Sequence, residues 1–157
     1  MSIFDVAQIC MNGHVINDAA ETYIGYNANF CSICSSKAIT KCDKCNESIR
    51  GRIKDYYGSI EYISPAYCHN CGSPFPWTAK GLDSAKALIE EDDQLTSEDK
   101  TLFSNSLSDV TSDTPATALA ATRIKRIIGK MSSSLKDVAY KAVIDISSEA
   151  AVKILKL

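Results

Sequence analysis

Seven cysteines and one histidine set the chemistry of this chain, and they fall in four groups of two. Cys31/Cys34, Cys42/Cys45 and Cys68/Cys71 are Cys-x-x-Cys pairs, and Cys10 stands alone with His14 close behind it. Eight soft ligands make two tetrahedral donor sets, the number and type that two Zn2+ ions per chain would take. The short Cys-x-x-Cys loop suits this because its turn aims backbone N–H groups at the thiolates and spreads their charge. Gly13 lets the backbone turn tightly enough for the Cys10 thiolate and the His14 imidazole to converge. His14 completes an otherwise three-thiolate set. His69, inside the Cys68/Cys71 loop, would point outward and is left out of the ligand set.

Other thiol chemistries fit poorly. A disulfide framework needs an even count and an export signal, and MSIFDVAQIC has neither a basic start nor a long apolar run. A thioredoxin-like redox pair would sit in a βαβ pattern, which this sequence does not suggest. The expected compartment is cytoplasmic, where thiols stay reduced and favour metal.

How the groups pair is open in the sequence. A sequential scheme puts Cys10, His14, Cys31 and Cys34 on one ion and Cys42, Cys45, Cys68 and Cys71 on the other. An interleaved, RING-like scheme joins the first group to the third and the second to the fourth. Joining Cys31/Cys34 to Cys42/Cys45 is a third possibility, and it strands the other groups. The second and fourth groups look alike, an aromatic residue, Cys-x-x-Cys, then a small residue and Ser. This weak internal repeat favours the sequential scheme.

The elements that must hold these ligands are short. Tyr23–Tyr26, Ile53–Tyr57 and Ile60–Ile63 mix aromatic and β-branched residues and read as strands. A ribbon this small cannot build a sufficient core, so metal would supply much of its folding free energy. Phe75 and Trp77 are expected to pack the ribbons against the helical half of the chain, or else to form an exposed stacking platform for bases.

After Trp77 the pattern becomes helical. Leu82, Ala85, Leu88 and Ile89 recur at helical spacing in a helix ending near Glu90–Asp93. Thr96 and Asp99 resemble a capping box before Leu102, Phe103 and Leu107. Thr114–Pro115 marks a further start, with Pro115 at the first helical position. A break at Ser132–Ser134 precedes one long helix carrying Leu135, Val138, Ala139, Ala142, Val143, Ile146, Ala150, Ile154 and Leu155. The fold class is therefore α+β: a small tandem zinc-ribbon module of short β-hairpins over residues 1–77, then an all-α helical bundle over 78–157.

A formal charge of −2 conceals segregation. Residues 78–115 hold three Lys/Arg against nine Asp/Glu, and residues 116–157 hold eight against three. Arg123, Lys125, Arg126, Lys130 and Lys136 form the one basic concentration, and Arg50, Arg52 and Lys54 lie near the ribbon aromatics. Arg123, Lys125, Arg126, Arg50, Arg52 and Lys54 are the candidate anion or nucleic-acid contacts. No apolar run is long enough to span a membrane, so no membrane partner is expected.

The Cys-Met-Asn-Gly-His start, the paired knuckles, Tyr-Cys-His-Asn-Cys-Gly-Ser-Pro-Phe-Pro-Trp-Thr and the later Asp-Thr-Pro together resemble a bacterial family of unknown function. The similarity spans nearly the whole chain and implies zinc ribbons joined to a C-terminal helical region. Ser35 departs from the glycine usual after the second cysteine of a ribbon. The family implies architecture and no activity.

The functional expectation is a non-enzymatic zinc-binding module for protein–protein interaction or self-association, with no small-molecule substrate. Four protein ligands close a zinc site to water and substrate. Nucleic-acid binding through the ribbon aromatics and the basic helix is one alternative. A zinc enzyme is another, with His14 released from the Cys10/Cys31/Cys34 site and Asp18 or Glu21 as general base. A third makes the ribbons a passive scaffold for self-assembly by the helices.

Overall fold

The computed structural model describes residues 2–157, which divide into two compact units, the first ending at Trp77 and the second Thr78–Leu157. The first unit carries five short strands: β1 (Phe4–Val6), β2 (Gln8–Cys10), β3 (Val15–Asn17), β4 (Ala38–Ile39) and β5 (Arg50–Ile53). β2 is the centre of an antiparallel sheet ordered β3-β2-β4, with Ile9 opposite both Val15 and Ile39. β1 pairs antiparallel with β5, Phe4 opposite Ile53. The pairing of β1 with β5 crosses the boundary of a simple tandem, because β5 follows the third ligand group.

Alternation along β1–β2 turns Ala7 and Ile9 inward, where they meet Ile49, Phe75 and the thiols of Cys42 and Cys68. Phe75 is buried and stacks on Trp77 at 4.7 Å between ring centroids, so it offers no platform to a base. Asp5 is also buried and ties β1 to the next loop, accepting from the amides of Val6 (2.7 Å) and Glu21 (2.9 Å) and from the Thr22 hydroxyl. Burial alone would raise its pKa, but these hydrogen bonds together hold the carboxyl below its ordinary range.

The three strands expected at aromatic-rich positions are not formed as such. Ile24–Tyr26 is a 3-10 turn, because Asn17 Nδ2 donates to Tyr23 O (2.8 Å) and Asn27 Nδ2 to Ala20 O (3.1 Å). Such local side-chain bonds compete with a ladder. β5 stops at Ile53 because Asp55 turns left-handed at φ 60°. Ile60–Ile63 finds no ladder partner; only Tyr62 goes in, donating from its hydroxyl to Arg50 O.

The second unit is a helical bundle of α1 (Pro76–Glu90), α2 (Ser97–Val110), α3 (Thr117–Lys130), α4 (Ser133–Ile146) and α5 (Glu149–Leu155), α1 beginning two residues before the unit does. α3 packs mainly against α2 and α5, around Phe103, Leu107, Val110, Ile124, Ile127 and Val143. Thr96 caps α2 as its sequence suggests, its hydroxyl accepting from Asp99 N at 3.1 Å. Buried Asp92 accepts from Ser132 N and Oγ (both 2.9 Å) and from Gln94 N (2.8 Å), fastening the loop after α1 to the start of α4.

Two helix boundaries differ from expectation. Pro115 lies in a Thr114–Thr117 turn ahead of α3 rather than at its first position, since the Thr117 hydroxyl accepts from Thr114 N at 2.8 Å. The single long helix is two. Ser148 caps α5 by accepting from Ala151 N at 3.3 Å, and its own amide donates to Val110 O at 2.7 Å instead of continuing α4. Val138, within α4, is exposed and does not join the buried stripe. No helix among the described residues is long and apolar enough to cross a membrane.

Candidate metal centres

The three Cys-x-x-Cys pairs close the same turn. The amide of the first cysteine donates to the carbonyl beyond the loop, Cys31 to Ser36 (2.9 Å), Cys42 to Glu47 (2.8 Å) and Cys68 to Ser73 (2.9 Å). The residue after the second cysteine donates back to the first cysteine's carbonyl: Ser35 at 2.8 Å, Asn46 and Gly72 at 2.9 Å. That closing residue is left-handed each time, with φ of 59°, 62° and 73°. The amides of Ile33, Lys44 and Asn70 lie 3.4 Å from the sulfur of the first cysteine. They offer the thiolates the donors that a knuckle needs.

The Cys10–His14 turn reaches the same end one residue shorter. Gly13 is left-handed at φ 91°, its amide donates to Cys10 O at 2.9 Å, and His14 N lies 3.4 Å from Cys10 Sγ.

These turns gather the eight residues into two sets, Cys10/His14/Cys31/Cys34 and Cys42/Cys45/Cys68/Cys71. The grouping is the sequential one. Within each set all ligand atoms lie within 4.8 Å of one another. In the first, His14 Nδ1 stands 3.5 Å from Cys10 Sγ and 3.6 Å from Cys31 Sγ, and Cys10 Sγ is 3.7 Å from Cys34 Sγ. In the second, Cys42–Cys71 and Cys45–Cys68 are 3.8 and 3.7 Å apart. A zinc tetrahedron with Zn–S of about 2.3 Å and Zn–N of about 2.0–2.1 Å has S···S edges of about 3.8 Å and S···N edges of about 3.6 Å. The donor sets fit that ion in number, type and spacing.

The environment of the thiols is graded. Burial pushes the Cys10 thiol up and the Cys42 thiol up to about 11. The Ser36 hydroxyl and amide, with the Asn12 side chain, bring Cys34 down to about 5, and the Ser73 hydroxyl and amide bring Cys71 down to about 6. Each set thus combines a buried thiol with a more accessible one already poised as thiolate. Cys71 is the exposed member of the second set.

Asn12, Ser36 and Ser73 are the contributors that ligand counting overlooks. Asn12 Nδ2 reaches Cys34 Sγ at 3.3 Å and Ser36 Oγ at 2.7 Å. Their sequence signal is slight: a polar residue within the Cys10–His14 turn, and Ser two places after the second cysteine of two knuckles.

The cationic candidates are placed differently. Arg52 pairs with Asp18 at 2.7 Å and Lys54 with Glu21 at 3.1 Å, which also takes both general-base candidates into ion pairs. Arg50 lies over the Phe4 ring at 4.7 Å. Arg123, Lys125 and Arg126 sit on α3, and among the described residues no ion pair engages them.

No curated protein and no solved structure matches the chain. A family profile does, over residues 3–155, nearly the whole length and both Cys/His sets. With that coverage, the chain belongs to the bacterial family described as "uncharacterized protein conserved in bacteria" (DUF2321).

Proposed function

We propose that the first unit holds two structural Zn2+ ions and that the protein works without catalysis, through protein–protein interaction or assembly. One observation carries this reading: each donor set supplies four protein ligands at tetrahedral spacing. A site so closed has no position for water or substrate, so the ion would supply folding free energy and rigid turns rather than Lewis-acid chemistry. Thiolate ligands of this kind suit a reducing, cytoplasmic setting.

Interaction is favoured by the apolar surface that the first unit leaves uncovered. Ile24, Tyr26, Phe30 and Ile33 are exposed, as are Tyr57 (95%), Ile60 (72%) and Ile63 (78%). Concentrations of large apolar side chains on a surface suit a protein partner. Arg123, Lys125 and Arg126, which no ion pair engages among the described residues, favour nucleic acid as a second reading, whereas Arg52 and Lys54 are already neutralised by carboxylates.

Native mass spectrometry of the full chain tests the first claim, with two zinc ions per chain lost together with folding on chelation as the expected result. One ion or none would reopen the catalytic reading. Light scattering tests assembly: a defined oligomer that Tyr57→Ser/Ile60→Ser/Ile63→Ser dissolves supports it, and a monomer at every concentration removes it. Salt-dependent DNA or RNA affinity lost in an Arg123→Ala/Lys125→Ala/Arg126→Ala variant would favour the second reading instead.

A further inference from the structure

We propose that the two metal sites load cooperatively, because the segments that hold one ligand set also wall the other. The inference rests on the two-zinc reading and adds how occupancy of one site governs the other. Ile9, immediately before Cys10, is fully buried in the same cluster as Cys42, Ile49, Cys68 and Phe75. Two of those neighbours are ligands of the second set. β4, which follows the Cys31/Cys34 knuckle, pairs with β2, and the next carbonyl, Thr40 O, accepts from Ile49 N at 2.9 Å. The exits of the second and third knuckles are thereby joined.

The fourth knuckle grips the first from both of its flanks. Ahead of it, Ser64 Oγ donates to Gly13 O at 2.7 Å. Behind it, Trp77 stacks on Phe75, donates from its indole to Pro65 O at 2.9 Å, and lies against Gly13 so closely that a Cβ there would meet Trp77 Cβ and Cγ at 3.0 Å. Gly13 is the residue that turns the chain from Cys10 to His14. Without an ion in the second set, the segments around Ile49, Ser64 and Trp77 lose their closest anchor. The turn presenting His14 then loses its support. A core this small cannot hold those segments by apolar burial alone. Coupling of binding free energies is reciprocal, so filling the first site must equally favour the second.

The test uses the full chain stripped of metal and given one equivalent of zinc, read by native mass spectrometry. Two equal, independent sites would place about half of the chains in the one-zinc form, and unequal independent sites more. Cooperative loading predicts a one-zinc share well below about half, with metal-free and two-zinc chains dominating. A share of half or more that Ser64→Ala and Trp77→Leu leave unchanged overturns the proposal while leaving two-zinc binding intact, since unequal affinities can hold the share up against coupling but cannot hide its loss. Failure to reach two zinc ions in excess metal overturns the underlying reading as well. Ser64→Ala and Trp77→Leu keep all eight ligands and are expected to raise the one-zinc share while still filling both sites in excess zinc. An unchanged share in both variants would refute the Gly13 contacts as the coupling route.

Discussion

Gly13→Ala strikes the turn between Cys10 and His14 without removing a ligand, and its cost can be built from two terms. Gly13 has φ 91°, a region in which an L side chain costs about 1–2 kcal/mol. The new methyl would also lie 3.0 Å from Trp77 Cβ and Cγ. Trp77 cannot simply swing away, because its indole is bonded to Pro65 O at 2.9 Å and stacked on Phe75. Forcing one methyl into such packing costs about 1–3 kcal/mol. The expected loss is therefore about 2–5 kcal/mol, a large share of the stability of a small domain. Urea unfolding in saturating zinc measures it, followed by the fluorescence of Trp77, the chain's one tryptophan. Gly25→Ala is the control, since Gly25 has no positive φ and nothing within 4 Å of an added methyl, and it should stay within about 0.5 kcal/mol of the parent. A Gly13→Ala variant as stable as that control would refute the reasoning.

His14→Cys should retain two zinc ions per chain and His14→Ala should lose at least one, counted by elemental analysis after desalting. Ser35→Gly should leave stability unchanged or raise it by up to about 1 kcal/mol, whereas Gly72→Ala, at φ 73°, should lower it by about 1–2 kcal/mol; urea midpoints that order them the other way would sink the turn assignment. Asp92→Asn should cost about 1.5–3 kcal/mol near neutral pH by weakening bonds to an ionised acceptor. Burial raises the Asp92 pKa, but the bonds from Ser132 and Gln94 and the charge of Lys100 outweigh it and leave the folded value depressed. The Asp92 contribution is then complete above about pH 4 and fades as pH falls through the folded pKa, so parent and variant should converge in acid. The second unit contains no cysteine, so its helical far-UV signal reads this without direct competition between protons and metal for ligands.

The two Cys/His sets were legible because the spacing that chelation would need is written in the chain itself. Cys-x-x-Cys is a local constraint, and three copies plus Cys10 and His14 leave few groupings to weigh. The repeat of the second and fourth groups pointed to the sequential one, which the structure has. The groups that support the ligands were less visible. Asn12 reaches Cys34, a contact between turns far apart in the chain that no local pattern encodes. Ser35 shows the converse. It departs from the usual glycine, and its φ of 59° still matches the other knuckles, because the Ser35 N–Cys31 O and Cys31 N–Ser36 O bonds close the same loop.

Helix bounds are legible where caps agree with periodicity, as at Thr96, and hidden where periodicity runs on past a cap. The apolar steps from Leu135 to Leu155 continue in register through Ser147 and Ser148, but the Ser148 amide is taken by Val110 O, a partner contributed by α2. Strands are the least legible elements, for a reason the first unit makes plain. Alternation predicts a strand only if there is a layer for the apolar face to meet. In Ile60–Ile63 the apolar residues have none: Tyr62 reaches Arg50 O, and both isoleucines remain outside. Metal ligation would replace the second layer here, and a replaced layer covers nothing. Apolar patterning in such a unit therefore marks surface as readily as core. By the same physics Ile60, Ile63 and Tyr57 become the side chains on which the interaction reading most depends, because no internal packing accounts for their being apolar.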